Sequence, residues 1–199
     1  MARPRASDFE QKQRAILDGA AAVFVRQGMD KASMAQIAGQ AGVSKALLYH
    51  YFPSKDSLVF AIIHAHIVEL EAALAQAINA ALPAREQLQR LIEVVLELYR
   101  GAEHAHQVQL NCAAMLDDAQ RDEIRAIERR IIRYFSEVLV RLNPALGTTK
   151  GELLMPVSMS LFGMLNWVYT WFREDGPLSR DDYAAIATRL MLGGIGEVC

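Results

Sequence analysis

The chain has 199 residues, of which 52% are hydrophobic and 22% charged, and its formal net charge is −2. This composition predicts a folded globular protein with a sizeable core and excludes a disordered chain. The charge is uneven, because residues 1–60 carry eight Lys and Arg against five Asp and Glu, whereas the remainder carries an excess of acids. A basic first segment followed by an acidic body indicates that the first segment meets a polyanion.

Neither a signal peptide nor a membrane span is expected. The first segment, MARPRASDFEQKQR, has no apolar stretch after its arginines, and Asn166 and Arg173 interrupt the longest apolar candidate. We therefore expect a cytoplasmic protein with no membrane contact. The only cysteines are Cys112 and Cys199, and we expect two free thiols in a reducing compartment.

Apolar residues recur at helical spacing along the chain, and the alternation typical of strands is absent. A first helix is predicted over about residues 8–26, and two short helices follow it. Six further helices are predicted over about residues 54–81, 84–102, 105–116, 118–142, 151–173 and 179–196. The sequence therefore predicts an all-α fold of nine helices, with a three-helix head over residues 1–53 and a six-helix body over residues 54–199.

The two short helices have clear boundaries in the sequence. Ser33, with a glutamine three residues later, predicts a capping box for a helix that ends near residue 40. Gly42 can form a tight turn with positive φ, and Ser44 can cap the next helix. That helix is expected to end near residue 51, before Pro53. Two short helices around a glycine-containing turn are typical of a helix-turn-helix.

The segment from Ser33 to Leu58, SMAQIAGQAGVSKALLYHYFPSKDSL, resembles the signature of the TetR family of transcription regulators. The matching residues are Ile37, Ala38, Ala41, Gly42, Val43, Ser44, Lys45, Tyr49, Tyr51, Phe52, Lys55 and Leu58. The resemblance implies a nine-helix TetR-like fold whose helix-turn-helix head binds double-stranded operator DNA. It also implies a ligand-binding body, a homodimer formed through the last two helices, and no resident cofactor.

The residues of this segment that do not pack inward are expected to enter the major groove. A lysine at position 45 can pair with phosphate or guanine, whereas Tyr49 and His50 can bond phosphate oxygens. Positions 33 and 55 lie at helix N-termini, which favour a phosphate. The predicted DNA-binding residues are Ser33, Ser44, Lys45, Ala46, Leu47, Tyr49, His50 and Lys55.

Two positions depart from the family pattern. The family often has Gly followed by Ser or Thr where this chain has Ala46 and Leu47, so a hydroxyl contact to phosphate is lost. Leu47 is expected either to touch a thymine methyl or to pack inward. The alternative interpretation of the whole segment is a pair of short core helices with no role in DNA binding.

The late segment GMLNWVYTWFREDGPLS is apolar on nearly every side, which predicts a helix buried by a cavity or by a partner subunit. We expect Asn166 in the middle of that helix, where it orients a ligand or forms an interhelical or cross-dimer hydrogen bond. The same two roles are expected for Asn111 in the segment QLNCAAML. Aromatic and methionine side chains are expected to line a ligand cavity or to fill the core, namely Tyr99, Met115, Phe135, Met159, Phe162 and Tyr169.

The same late segment resembles TetR regulators of fatty-acid, phenylacetate and sterol breakdown, which respond to acyl-CoA thioesters. The resemblance rests on Asn166, Trp167, Trp171, Gly176, Leu178 and Ser179. It implies a repressor that an acyl-CoA thioester releases from its operator. Arginines stand at intervals of four along one predicted helix, and Arg129 and Arg133 are the two expected to hold CoA phosphates. The alternative is a solvated face paired with nearby acids.

Other function classes are kept as alternatives. They are a drug-sensing efflux regulator, a helical enzyme, and a DNA-bound protein without an effector. No catalytic triad, nucleophile elbow or glycine-rich phosphate loop is recognisable, which argues against the enzyme. No metal site is predicted, because the His-x-His pairs at 64/66 and 104/106 point to different faces of a helix.

Overall fold

The computed structural model describes residues 3–148 and 152–198. Within these ranges it contains nine α-helices, four short 3-10 segments and no β-strand. The helices are α1 (Arg3–Gln27), α2 (Met34–Gln40), α3 (Lys45–Tyr51), α4 (Lys55–Ala77), α5 (Ala84–Tyr99), α6 (Glu103–Cys112), α7 (Asp118–Leu142), α8 (Leu154–Asn166) and α9 (Arg180–Gly194). The predicted all-α class and helix number are therefore confirmed.

The two short helices α2 and α3 have the predicted bounds, whereas α4 is shorter than predicted. The expectation that α4 continues to about residue 81 is wrong, because Gln87 of α5 caps its end. The Gln87 amide nitrogen donates to the carbonyl oxygen of Ala77 at 3.1 Å, and the amide oxygen accepts the backbone N–H of Asn79 at 2.8 Å. Arg90 donates to the same Ala77 carbonyl at 3.2 Å.

The prediction of one long helix over residues 151–173 is also wrong. α8 ends at Asn166, and the chain continues as a 3-10 turn over Val168–Thr170. Asn166 therefore closes the helix instead of lying in its middle. β-Branched residues at 168 and 170 have low helix propensity, and the Thr170 hydroxyl donates to the carbonyl oxygen of Trp167 at 2.7 Å. Similar 3-10 turns follow α6 and α9.

The chain divides into two compact units. The first unit consists of residues 1–67 and 101–125, and the second of residues 68–100 and 126–199. In the first unit α1 packs against α2 and α6, and in the second unit α5 packs against α9 and α8. The division into a head and a body at residue 53 stays a prediction.

A close helix approach organises the start of the first unit. A Cβ atom built on Gly19 of α1 would lie 3.1 Å from the backbone nitrogen and 3.2 Å from the Cβ of Ala41. The glycine therefore allows α1 to approach the turn after α2 more closely than a larger residue would. Ile16, Ile37 and Leu48 are fully buried in this unit.

One helix of the described chain, α4, is long and apolar enough to cross a membrane by length and composition alone. The longest apolar candidate was expected around Asn166 and Arg173, so α4 is a candidate that the sequence patterns did not indicate. The apolar side chains of α4 are largely buried inside the protein, as in a core helix, namely Leu58, Val59, Ile62, Ile63, Ile67, Leu70 and Leu74.

Candidate nucleic-acid interface and ligand cavity

The turn between α1 and α2 is closed by the predicted capping box. The Ser33 hydroxyl accepts the backbone N–H of Gln36 at 3.3 Å, and the Gln36 side chain accepts the backbone N–H of Ser33 at 2.9 Å. These bonds satisfy donors that an uncapped helix would leave without partners. Ser33 remains exposed at the N-terminus of α2.

The outer face of α3 consists of Lys45, Ala46, Tyr49 and His50, all of which are exposed. These positions are one and four residues apart, so they share one side of a helix. The opposite side holds Leu48, which is fully buried. The outer face therefore offers one cation, a phenol, an imidazole and a methyl group to a partner.

The N-terminus of α3 is capped by Ser44, whose hydroxyl accepts the backbone N–H of Leu47 at 3.1 Å. Ser44 is exposed and Leu47 is half-buried. The Leu47 side chain thus packs in part against the protein and in part faces solvent. Both expectations for Leu47, a thymine contact and inward packing, are compatible with this position.

Lys55 begins α4 but also fastens the loop after α1. Its ammonium group donates to the carbonyl oxygen of Met29 at 2.6 Å, and the side chain is half-buried. The same loop contains Gly28, whose φ of +78° favours glycine. Lys55 therefore makes a structural contact that no local sequence pattern indicated, in addition to its predicted role at a phosphate.

Two predicted ligand residues, Asn111 and Met115, lie on one cavity of about 350 Å³ within the first unit. We name it the α1–α6 cavity. From α1 and the loop after it, the lining residues are Phe24, Val25, Gly28 and Met29. From α6 and the 3-10 turn after it, they are Gln107, Val108, Asn111, Cys112 and Met115. Of these lining residues, Asn111 and Met115 are the two that were predicted from the sequence to contact a ligand.

The other predicted aromatic ligand residues lie in the second unit. The Tyr99 hydroxyl donates to the Asn166 side-chain oxygen at 2.9 Å, so the predicted interhelical bond of Asn166 is present. The rings of Phe135 and Phe162 meet edge to face at 5.0 Å between centroids, and both side chains are buried. Tyr169 is half-buried, and its ring lies 6.1 Å from that of Trp167.

Three other predicted ligand residues are exposed. Met159 on α8 is 49% exposed, and Arg129 and Arg133 lie exposed on α7. Arg133 lies 3.8 Å from Glu137 one turn later, at a separation typical of a loose surface ion pair. The predicted ligand residues thus divide among the α1–α6 cavity, the core of the second unit and its surface.

Helix α7 also carries a polar cluster that the sequence analysis did not identify. The Tyr134 hydroxyl donates to Glu71 of α4 at 2.7 Å, and Arg130 donates to the same carboxylate oxygen at 3.3 Å. The hydrogen bond to Glu71 raises the pKa of the Tyr134 phenol. No sequence signal connects these residues, because 59 and 63 positions separate the two pairs.

Two histidines meet in the core of the first unit. The rings of His66 and His106 lie 5.6 Å apart edge to face, and both side chains are buried. Burial, together with smaller effects of the charges of His106 and Arg14, lowers the pKa of His66 to about 4. Within the described residues, no group of three or more His, Cys, Asp or Glu could hold a metal ion.

Large apolar side chains remain exposed on and between α8 and α9. They are Met155, Met159, Trp167, Trp171 and Leu190, with exposed fractions of 47–61%. Three glycines of these two helices, Gly163, Gly193 and Gly194, have open space where a Cβ would stand. We name these residues the α8–α9 face. Apolar side chains beside small residues are the composition of a surface that a partner helix covers.

Comparison with protein families gives two matches that together cover most of the chain. Residues 16–62 match the family "Bacterial regulatory proteins, tetR family". Residues 81–195 match the family "Tetracyclin repressor-like, C-terminal domain". The first match contains α2 and α3, and the second contains α5–α9.

Individual proteins are similar over much of the chain. A TetR-family transcriptional regulator from Bordetella parapertussis has 32% identity and a TM-score of 0.82, with 89% of this chain and 92% of that one covered. The structure of AibR in complex with isovaleryl coenzyme A and operator DNA has 26% identity and a TM-score of 0.72, with coverage of 92% and 96%. The HTH-type transcriptional regulator BetI of Rhizobium meliloti is 33% identical over 123 residues, which are 62% of this chain and 58% of BetI.

Proposed function

Because the chain belongs to the TetR family of bacterial transcription regulators, we propose that it is a repressor whose homodimer leaves its operator when a small molecule binds. DNA binding through the helix-turn-helix is a property of the family. We propose below which residues contact the operator and which class of effector releases it. Its site of action is the cytoplasm, where the operator DNA is located.

The outer face of α3 supports the proposed contact with DNA. Lys45, Tyr49 and His50 project from the second helix of a helix-turn-helix, which in such motifs enters the major groove. Lys45 supplies a cation for phosphate or guanine, and Tyr49 and His50 supply donors for phosphate oxygens. Ala46 and the exposed part of Leu47 offer apolar contact to a thymine methyl. The exposed Ser33 and Ser44 lie at the N-termini of α2 and α3, which favour a phosphate.

A DNA-binding titration tests this part of the proposal. Genomic footprinting identifies the operator, and we expect a pseudo-palindrome with half-sites about one helical turn apart or more. Neutralising roughly 6–10 phosphates would give a salt slope steeper than about −5. Affinity that does not change with salt, or equal affinity for random sequence, would contradict the proposal.

The proposed homodimer uses the α8–α9 face. Five large apolar side chains of this face are exposed in the single chain, which is more than scattered surface residues would account for. A second copy of the chain packed on this face would remove them from water. The two-fold symmetry of such a dimer matches the pseudo-palindromic operator.

An acyl-CoA thioester is the effector that we propose. AibR, which has 26% identity to this chain, was solved with isovaleryl coenzyme A and operator DNA. This likeness adds to the resemblance of the late segment to regulators of acyl breakdown. Arg129 and Arg133 are exposed cations suited to CoA phosphates, and the aromatic residues of the second unit suit an acyl chain.

A release titration decides the effector class. The thioester is compared with its free acid and with free CoA on the footprinted operator. We expect release by the thioester alone, and we expect Arg129→Ala and Arg133→Ala to weaken release without a change in DNA affinity. Equal release by the free acid would show that the arginines are only a solvated face. If no acyl compound releases DNA, a drug-sensing regulator replaces this effector class.

A further inference from the structure

Of the residues predicted to bind the acyl-CoA effector, Asn111 and Met115 are the two that line the α1–α6 cavity. It is formed within the first unit, by α1 and α6. Its volume of about 350 Å³ falls within the range of small-ligand sites, which is roughly 300–1,000 Å³. A ligand of drug-fragment size would therefore fit, whereas a whole CoA ester would not.

The lining chemistry defines the ligand. Among the described residues, those that line the cavity carry no formal charge. Phe24 and Val108 contribute apolar side chains to the lining, and both residues are buried. Hydrogen-bonding groups come from two side-chain amides, Gln107 and Asn111, of which Asn111 is exposed at the rim. A charged ligand would lose hydration without gaining a counter-ion, so it is disfavoured.

We infer that the α1–α6 cavity is a second regulatory site, which binds an uncharged small molecule with an aromatic or branched apolar body and one amide-like or hydroxyl group. The apolar body would rest on Phe24, Val108 and Met115, and the polar group would face Gln107 and Asn111. This inference goes beyond the acyl-CoA effector, because it concerns a different ligand class. The regulatory consequence alone rests on the proposed DNA-binding function.

Contacts at the cavity wall connect its occupancy to the DNA-binding segment. The Met29 carbonyl accepts the ammonium group of Lys55 at 2.6 Å, and the Gly28 carbonyl accepts the backbone N–H of Ala32 at 3.1 Å. Ala32 directly precedes the Ser33 cap of α2. A ligand that displaces Met29 would therefore loosen the Lys55 contact and shift the start of α2. A ligand that binds one arrangement of this loop more tightly than another changes DNA affinity by that difference in binding free energy.

Methyl NMR on methionine-labelled protein tests the site without DNA. The probes are 2-naphthamide and 2-naphthoate, which match in size and differ in charge. Met29→Leu and Met115→Leu assign the two methyl signals at the cavity. We expect 2-naphthamide to shift these signals and leave those of Met155, Met159 and Met164 unchanged, and we expect 2-naphthoate to bind at least tenfold more weakly. Equal binding of the two probes, or shifts only on α8, would overturn the inference.

Two variants on neighbouring positions give a matched control. Asn111→Phe adds a ring at the rim of the cavity, whereas Leu110→Phe adds volume at a 40% exposed residue that does not line it. We expect Asn111→Phe to abolish 2-naphthamide binding and Leu110→Phe to keep it. Because both side chains are exposed, both variants should fold. Binding retained in Asn111→Phe would contradict the assigned site.

A covalent probe tests the regulatory consequence. Benzyl methanethiosulfonate converts Cys112 to a benzyl mixed disulfide in a Cys199→Ser background, with loss of methanesulfinate and of the thiol proton. Burial raises the pKa of the Cys112 thiol, so the labelling needs mildly alkaline buffer. We expect at least a fivefold loss of operator affinity, with recovery after reduction and no effect in Cys112→Ser. Unchanged affinity in fully labelled protein that binds its operator before labelling would overturn the regulatory role, whereas absent DNA binding before labelling would refute the proposed function itself.

Discussion

At the scale of single residues, α3 carries exposed side chains that can contact DNA and buried side chains that pack the helix against its neighbours. Tyr49 is 51% exposed, whereas Tyr51, two positions later, is half-buried with its ring 4.8 Å from that of Phe9. The two residues have the same phenol group, but one faces solvent and the other packs against a neighbouring ring. This difference allows a DNA contact to be distinguished from a packing effect.

Replacing Tyr49 with Phe should weaken operator binding roughly 30-fold, because each of the two subunits loses one hydrogen bond to phosphate worth about 1 kcal/mol. Lys45→Ala should reduce the salt slope by about two, since each subunit loses one phosphate contact. Fluorescence anisotropy at several salt concentrations measures both effects. Tyr51→Phe is the control and should bind normally. Normal binding by folded Tyr49→Phe would show that this phenol does not contact phosphate.

We expect the buried His66 to make the first unit sensitive to acid. Because burial lowers the pKa of His66 from 6.5 to about 4, the unfolded chain takes up a proton before the folded one does. The stability contributed by neutral His66 is therefore complete above about pH 6.5 and is lost as the pH falls toward 4, by about 3 kcal/mol at most. The neighbouring groups are His106 on α6 and Arg14 on α1.

Urea unfolding between pH 7 and pH 4 tests this expectation. His66→Gln should flatten the loss of stability with falling pH, because the glutamine cannot take up the proton. His104→Gln is the matched control, since His104 is an exposed histidine of the same unit. If both variants lose stability with pH as steeply as the parent protein, His66 is not the group responsible.

At the scale of elements, the start of α9 is fastened to α5 by one buried arginine. The Arg180 guanidinium donates to the Leu96 carbonyl at 2.7 Å and to Glu174 at 2.6 Å, and it lies 5.1 Å from the centre of the Phe172 ring. Its side chain is only 6% exposed. The ion pair between Arg180 and Glu174 thereby holds the irregular stretch between α8 and α9 in place.

Arg180→Met should lower the free energy of unfolding by about 1–3 kcal/mol, because the buried Leu96 carbonyl loses its donor. Arg173→Met is the control, since Arg173 and its partner Asp175 are about 75% exposed and such a pair contributes little. Urea titrations of the two variants measure the difference. A loss of the same size in both variants would show that burial of Arg180 is not the cause.

At the scale of the whole molecule, the α8–α9 face distinguishes a monomer from a dimer. Trp167 and Leu190 are each 61% exposed in the single chain. Leaving this much apolar surface in water is unfavourable, at roughly 25 cal/mol for each Å². We therefore expect the protein to be a dimer in solution.

Trp167→Glu and Leu190→Glu should convert the dimer to a monomer, because each would bury a carboxylate without a partner at the interface. Both should also lose operator affinity, since a single head contacts one half-site. Analytical ultracentrifugation measures the first effect, and Leu110→Glu on α6 serves as the control. A dimer that persists in both α8–α9 variants would place the interface elsewhere.

Local sequence patterns were enough to predict the helical class, the number of helices and the helix-turn-helix. These features depend on local rules, namely helical periodicity, the Ser33 and Ser44 caps and the Gly42 turn, so neighbouring residues suffice to predict them. Only tertiary contacts decided where α4 ends, because Gln87 and Arg90 reach it from the next helix. The end of α8 at Asn166 was missed because low propensity at 168 and 170 is a weak indication by itself.

Sequence patterns are a still weaker guide to which candidate residues share a ligand site. Tyr99, Asn111, Phe135 and Arg129 have chemistry that suits a pocket, but composition does not say which of them share one. The structure places Asn111 with Met29 and Cys112 on the α1–α6 cavity, and it places Tyr99 against Asn166 instead. A cavity is formed by residues far apart in the chain, so its lining follows from how the helices pack and not from the spacing of residues along them.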